Sequence, residues 1–146
     1  HGMLELPDPN KSRESTFVDM GAEIFVQARP HPMIDASLRR KRLAVEGDDP
    51  GAALILLDFI LGAIASRDPV GDLRDAIRGA QEAAHRRGAH LGVVASVCGT
   101  GEDAQDLRAQ TGALVEAGVL VFPSNAQAVT FCRETMLLLA NRKEAG

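Results

Sequence analysis

Two hydrophobic patterns alternate along this chain. Short continuous apolar runs are separated by stretches in which apolar residues return every third or fourth position. The strongest run is 53–60, Ala-Leu-Ile-Leu-Leu-Asp-Phe-Ile, with one acid, Asp58, set inside it and Gly62 just beyond. It reads as a central parallel strand buried on both faces. Leu91–Val97 and Val119–Phe122 predict two further strands, and Ile24–Ala28, ahead of Arg29-Pro30-His31-Pro32, predicts an earlier one.

Helical spacing fills the intervals. Asp35 is placed to cap a helix carrying Leu38, Arg39, Arg42 and Leu43 and stopping at Gly47, before the turn Asp48-Asp49-Pro50-Gly51. A long amphipathic helix starts near Pro69, repeats Val70, Leu73, Ile77, Ala80 and Ala84, and ends at Arg86-Arg87-Gly88. A third helix is expected from about Asp103 to Glu116, and a last one over about 126–141 behind the caps Ser124 and Asn125. Strand and helix thus alternate four times. The fold class that follows is α/β, a three-layer α/β/α arrangement with a mostly parallel, flavodoxin-like sheet of about four strands. Residues 1–16 read as a tag remnant (His1-Gly2-Met3) and a flexible polar leader, and 17–146 as a single domain.

Composition narrows the function classes. The 146 residues are 45% apolar and 25% charged, with five Phe and neither Trp nor Tyr. A core of Leu, Ile, Val and Ala suits an α/β fold, and the lack of aromatic faces argues against a stacking platform for single-stranded nucleic acid. The formal net charge of −4 offers no basic footprint for nucleic acid either. No apolar stretch reaches membrane-spanning length, and no signal peptide is visible. Two cysteines, Cys98 and Cys132, have no zinc-site or disulfide spacing and read as thiols of a cytoplasmic protein.

Three segments resemble signatures of the FdrA family. They are Arg-Pro-His-Pro-Met-Ile-Asp (29–35) with Leu38-Arg39 and Arg42-Leu43, Leu56-Leu57-Asp58 with Leu61-Gly62, and Ser96-Val97-Cys98-Gly99-Thr100. The resemblance covers about residues 17–140. FdrA proteins are similar to the succinyl-CoA synthetases, so it implies the flavodoxin-like CoA-ligase domain of that superfamily. Leu114-Val115-Glu116-Ala117-Gly118-Val119 is similar to that superfamily's closing Leu-x-x-Ala-Gly-Val segment. The resemblance implies acyl- or carbamoyl-group transfer beside partner subunits. Coenzyme A or a phosphate-bearing ligand is implied on the same ground, with the cofactor itself left open. The chain departs from the ligases at one point: they carry a phosphorylated histidine in a Gly-His-Ala-Gly-Ala loop, and here the matching loop is Cys98–Asp103, with no histidine. A phosphohistidine relay is not expected there, nor activity from this domain alone. Self-association, most simply as a two-fold dimer, is a further expectation.

The candidate site follows from strand polarity, because ligands of open α/β sheets bind beyond the carboxyl ends of the strands. Arg29, His31, Asp58, Cys98, Gly99, Thr100, Gly101 and Ser124 would share that rim. His31, held between two prolines, suits acid–base work or anion binding, or a local hydrogen bond. Asp58 in an apolar strand faces a ligand or accepts backbone N–H bonds. Those two are the catalytic candidates. Arg29 and Arg39 could clamp a carboxylate or phosphate, whereas Arg40, Lys41 and Arg42 read as a solvated face. Asp35 is a ligand candidate that also serves as a helix cap. Cys98-Gly99-Thr100-Gly101 could form an anion-holding nest, with Glu102 and Asp103 opposing an anion or capping the next helix. Cys98 fits a buried inert thiol better than a nucleophile. Two readings result: a CoA-ligase-like domain with a small anionic ligand on the rim, and a silent module supporting a partner enzyme through its sheet edge or helix faces.

Overall fold

The computed structural model describes residues 5–144. The elements run α1 (Glu23–Val26), α2 (Ser37–Asp48), β1 (Leu54–Ile60), α3 (Gly71–Arg86), β2 (Gly92–Cys98), α4 (Leu107–Glu116), β3 (Leu120–Phe122) and α5 (Asn125–Glu144). The three strands form one parallel sheet in the order β1-β2-β3. Leu57 lies beside Ala95, Asp58 beside Ser96, and Ser96 beside Phe122. The mixed parallel α/β class is as the periodicity predicts.

One face of the sheet carries the main core. Ile55, Leu57 and Phe59 of β1, Val93, Ala95 and Val97 of β2, and Val119 and Val121 around β3 meet Leu43 of α2, Val70, Leu73 and Ile77 at α3, and Leu114 of α4. Alternation along each strand turns the other parity, with Val94 and Ser96, to the second face. Among the described residues only α5 covers that face, touching all three strands. The three-layer arrangement is therefore lopsided, with three helices on one side and one on the other. Much of α5 is left uncovered: Val129, Met136, Leu137, Leu138 and Leu139 are exposed.

Four expectations need correction. The sheet has three strands among the described residues rather than about four, because Ile24–Ala28 does not extend. Glu23–Val26 forms one helical turn, and Ala28 adopts φ +57°, which ends any extended run. The apolar run at β1 is an edge strand and not the central one; β2 is central. Gly47 does not stop α2. The helix continues to Asp48, and a Cβ on Gly47 would lie 2.6 Å from the Ala80 Cα, so this glycine lets α2 and α3 approach closely. Finally, α4 begins at Leu107, not near Asp103: the Asp106 carboxylate accepts from the N–H groups of Arg108 and Ala109 and is its cap.

The polar leader touches the domain. Arg42 of α2 donates to the Pro9 carbonyl and to Ser12 Oγ, both at 2.8 Å, and pairs with Glu46, which also accepts from Ser12 Oγ. Arg42 is thus a half-buried clamp, unlike its exposed neighbours Arg40 and Lys41.

Candidate functional site

A cleft of about 520 Å³ opens at the outer side of β1 towards its carboxyl end. Leu56, Leu57, Asp58 and Ile60 form one wall, residues 17–21 another, and His31-Pro32-Met33 with Ala36 and Arg39 a third. Ser66, Pro69, Asp72 and Asn125 close the remaining side. Three expected site residues meet here: His31, Arg39 and Asp58.

Each is positioned by local structure. The turn after Pro30 brings the N–H groups of Ile34 and Asp35 onto the His31 carbonyl. Met33 N–H then donates to His31 Nδ1 at 3.2 Å. In neutral imidazole that leaves the proton on Nε2, which faces Gly21 across the cleft wall. Arg39 projects from the first turns of α2. Its Nη2 donates to the Asp58 backbone carbonyl at 2.8 Å, and its guanidinium lies 5.1 Å from the centre of the Phe59 ring. Burial pushes the Arg39 guanidinium below its ordinary pKa, against the opposing pull of the Asp58 carboxylate. It remains a cation at neutral pH.

The loop between β1 and α3 supplies Ser66 and Asp72 and is held from below by two buried amides. Gln105 Nε2 donates to the carbonyls of Gly62 and Ser66, at 2.8 and 3.0 Å, and its Oε1 accepts from Gly62 N–H. Gln110 Oε1 accepts from Val70 N–H, and its Nε2 donates to Asp68 Oδ1, both at 3.0 Å. Ser66 Oγ donates to Asp72 Oδ2 at 2.5 Å. This wall is therefore tied down by side-chain hydrogen bonds. Ser66, Asp72, Asp19 and Asn125 were not anticipated. The available signal was Asp68-Pro69 ahead of an amphipathic run, which marks a helix start and so puts Ser66 and Asp72 at a strand-to-helix rim.

The other candidates lie elsewhere. Arg29 is exposed, its N–H bonded to the Val26 carbonyl, and does not reach the cleft. Asp35 accepts Ser37 N–H at 2.8 Å, which holds its carboxyl below the usual carboxylate range. Its position is that of a helix-start residue. Ser124 accepts Gln127 N–H at 3.3 Å as a cap of α5, and its neighbour Asn125 reaches the cleft instead. Cys98 is exposed at the end of β2, not buried. The loop Cys98–Gly101 is not an open nest: Thr100 N–H donates to Asp103 Oδ2 at 2.6 Å, so the chain's own carboxylate fills it. Gly99 is required by close approach, since a Cβ there would lie 2.8 Å from the Leu61 side chain.

The charge of the cleft is mixed. Asp19, Asp58 and Asp72 face one guanidinium, Arg39, with His31 and Ser66 as neutral hydrogen-bonding groups. Among the described residues no group of three or more His, Cys, Asp or Glu side chains is arranged to hold a metal ion, and no helix is long and apolar enough to cross a membrane.

Comparison with known proteins gives this cleft its setting. Residues 3–135 match the model of the CoA-ligase family. The chain is also similar to the uncharacterized protein YahF of Escherichia coli strain K12, being 39% identical over 131 residues. That match covers 90% of this chain and 25% of YahF, so the chain spans about a quarter of the length of this curated relative. The chain belongs to the CoA-ligase family, and its parallel α/β sheet is consistent with that family's flavodoxin-like, succinyl-CoA-synthetase-like domain.

Proposed function

We propose that this CoA-ligase domain is of FdrA type and acts in acyl- or carbamoyl-group transfer as part of a multi-subunit assembly. The observation that carries this reading is the cleft at β1, where His31, Arg39 and Asp58 converge. A bare anion there would meet one cation and three carboxylates. A small ligand with an anionic end and an amide or carbamoyl end satisfies both signs. Its anionic end pairs with Arg39, and its N–H groups donate to Asp58 or Asp72. His31, whose Nδ1 accepts Met33 N–H, then stands with Nε2–H as a hydrogen-bond donor. The loop that holds phosphohistidine in the ligases has no histidine here and is filled by Asp103, which supports a reaction without that relay. In this reading the protein works in the cytoplasm and binds neither nucleic acid nor membrane, and the net charge of −4 offers no basic footprint for nucleic acid.

The test is a thermal-shift screen against oxamate, carbamoyl phosphate, inorganic phosphate, coenzyme A and ATP, repeated on His31→Ala. Stabilisation by oxamate or carbamoyl phosphate that vanishes in His31→Ala is expected. No shift with any of the five, or a shift untouched by the variant, would overturn the site.

A second reading is favoured by α5. Val129, Met136, Leu137, Leu138 and Leu139 of this helix are exposed. Such a surface suits a non-catalytic module that packs against a copy of itself or a partner subunit.

A further inference from the structure

The cleft holds a hydroxyl–carboxylate pair that ligand binding alone does not explain. Ser66 Oγ donates to Asp72 Oδ2 at 2.5 Å, and both residues line the cleft. The serine is fixed on several sides. Its N–H donates to the Met33 carbonyl at 2.8 Å, its carbonyl accepts from Gln105 Nε2 at 3.0 Å, and its Oγ accepts from Asp68 N–H at 3.3 Å. Through Met33, whose own N–H donates to His31 Nδ1, it is tied to the turn that carries His31. Asp72 sits in the first turn of α3, where its N–H donates to the Asp68 carbonyl at 2.9 Å and its carbonyl accepts from Arg40 Nη1 at 3.3 Å.

The start of α3 does not need this pair. Asp68 Oδ1 accepts from Gly71 N–H, and Gln110 Oε1 accepts from Val70 N–H. The N–H groups of Asp72 and Leu73 reach the carbonyls of Asp68 and Val70. These backbone donors are satisfied by neither Ser66 nor the Asp72 side chain. A serine hydroxyl bonded to a carboxylate that the helix holds in place, both on a cleft wall, is instead the arrangement of an activated nucleophile.

We propose that Ser66 is the nucleophile that takes up the transferred acyl or carbamoyl group, with Asp72 as its base, in place of the loop histidine that this chain lacks. The proposal deepens the group-transfer reading above and rests on it. A carboxylate is too weak a base to form a free alkoxide, so the donor must carry a good leaving group. The donor class is therefore a mixed anhydride, an acyl or carbamoyl phosphate, whose phosphate end meets Arg39. Ser66 Oγ attacks the carbonyl carbon as its proton passes to Asp72. The bond from that carbon to the phosphate oxygen breaks, and the oxygen keeps the electron pair. The phosphate takes the proton from Asp72 and leaves as hydrogen phosphate, so that an ester of Ser66 remains beside a carboxylate. The acceptor's nucleophile then attacks the ester, and its proton returns through Asp72 to the departing Ser66 oxygen.

Acetyl phosphate is the probe. The 146-residue chain is incubated with it and mapped by mass spectrometry before and after hydroxylamine, which cleaves an ester and leaves acetyl-lysine intact. An acetyl ester on Ser66 is expected, at least about 100-fold above that on the other serines and forming at least about 100-fold more slowly in Asp72→Asn. Ser66→Ala should lose the ester yet keep the thermal shift with carbamoyl phosphate, because binding rests on Arg39 and Asp58. No ester on Ser66, a phosphoryl group there instead, or an ester that forms as fast in Asp72→Asn would each overturn the inference. The thermal-shift screen answers separately: a shift without an ester would strike out the nucleophile and leave the ligand site standing.

Discussion

β1 and β2 lie side by side in register, and their sequences suggest the reverse of their positions. β1 is Leu-Ile-Leu-Leu-Asp-Phe-Ile, the more hydrophobic of the two, yet it is the edge and only Phe59 is fully buried. β2 is Gly-Val-Val-Ala-Ser-Val-Cys, with smaller side chains, yet it is central, and Val93 to Ser96 are buried without a break. Hydrophobicity thus reports what a strand is built to bury, while order in the sheet reports what is present to bury it. A central strand flanked on both sides is covered whatever its side chains. An edge strand this apolar has surface left over, and the cleft is that surplus.

The sharpest test divides β1 by its own parity. Phe59 is 0% exposed and belongs to the main core, whereas Ile60 is 39% exposed on the other face. Phe59→Ala should cost about 3–5 kcal/mol, the range for truncating a buried aromatic. Ile60→Ala should cost less than about 1 kcal/mol. Denaturant unfolding of the two variants gives the comparison, and similar losses would mean that β1 is interior after all.

A second test exchanges chemistry between the neighbours Asp58 and Ser96. Ser96 is 5% exposed in β2. Ser96→Asp places a carboxylate in the sheet interior without a charge partner, and should cost on the order of 3 kcal/mol. Asp58→Ser, on the exposed outer strand, should change stability by less than about 0.5 kcal/mol. Equal effects would show that the strands do not differ in desolvation.

These contrasts mark how far the chain could be read directly. The α3 helix was legible from Val70, Leu73, Ile77, Ala80 and Ala84, because periodicity of that strength has one physical meaning, and Leu73, Ile77, Ala80 and Ala84 are all buried. Strand polarity was legible too, but of the residues it assigns to one rim only His31 and Asp58 line the cleft, and Arg39 reaches it from α2. The rank of β1 in the sheet was not, because an apolar run is the same in the middle as at an edge. Asp103 and Asp106 are each plausible caps by residue type. Only backbone geometry puts Asp106 on the helix and Asp103 on the Thr100 N–H. The clamp role of Gln105 and Gln110 depends on loop residues about forty positions away, beyond any local pattern.

A third prediction concerns what blunts the edge. Arg39 contributes one hydrogen bond to a carbonyl and one contact over the Phe59 ring. Arg39→Ala should lower stability by about 1–2 kcal/mol. It should also raise self-association, seen as a concentration-dependent mass in light scattering, because the edge loses its cation. Arg39→Ala that is destabilised but stays monomeric at all concentrations would mean that Asp58 alone keeps the edge apart.

The smallest effect separates the loop after β1 from the edge of β1. That loop is held by side chains, among them Asp68, whose carboxylate accepts from Gln110 Nε2 and from Gly71 N–H. These bonds hold its carboxyl below the usual carboxylate range, against the opposite influence of burial. A carboxyl with a depressed folded-state pKa stabilises the fold above its unfolded value, about 3.9. That contribution is lost as pH falls through the lower folded value. Asp68→Asn keeps an acceptor but not the charge, so it should melt slightly below the wild type at pH 7. The gap should begin to narrow below about pH 4 and close only once pH has fallen through the depressed folded value, where the wild-type carboxyl takes up its proton. Melting temperatures of the two proteins across that range decide the matter. A gap that persists to the lowest pH would mean that the Asp68 charge adds nothing, and that Gln105 and Gln110 alone hold the wall of the cleft.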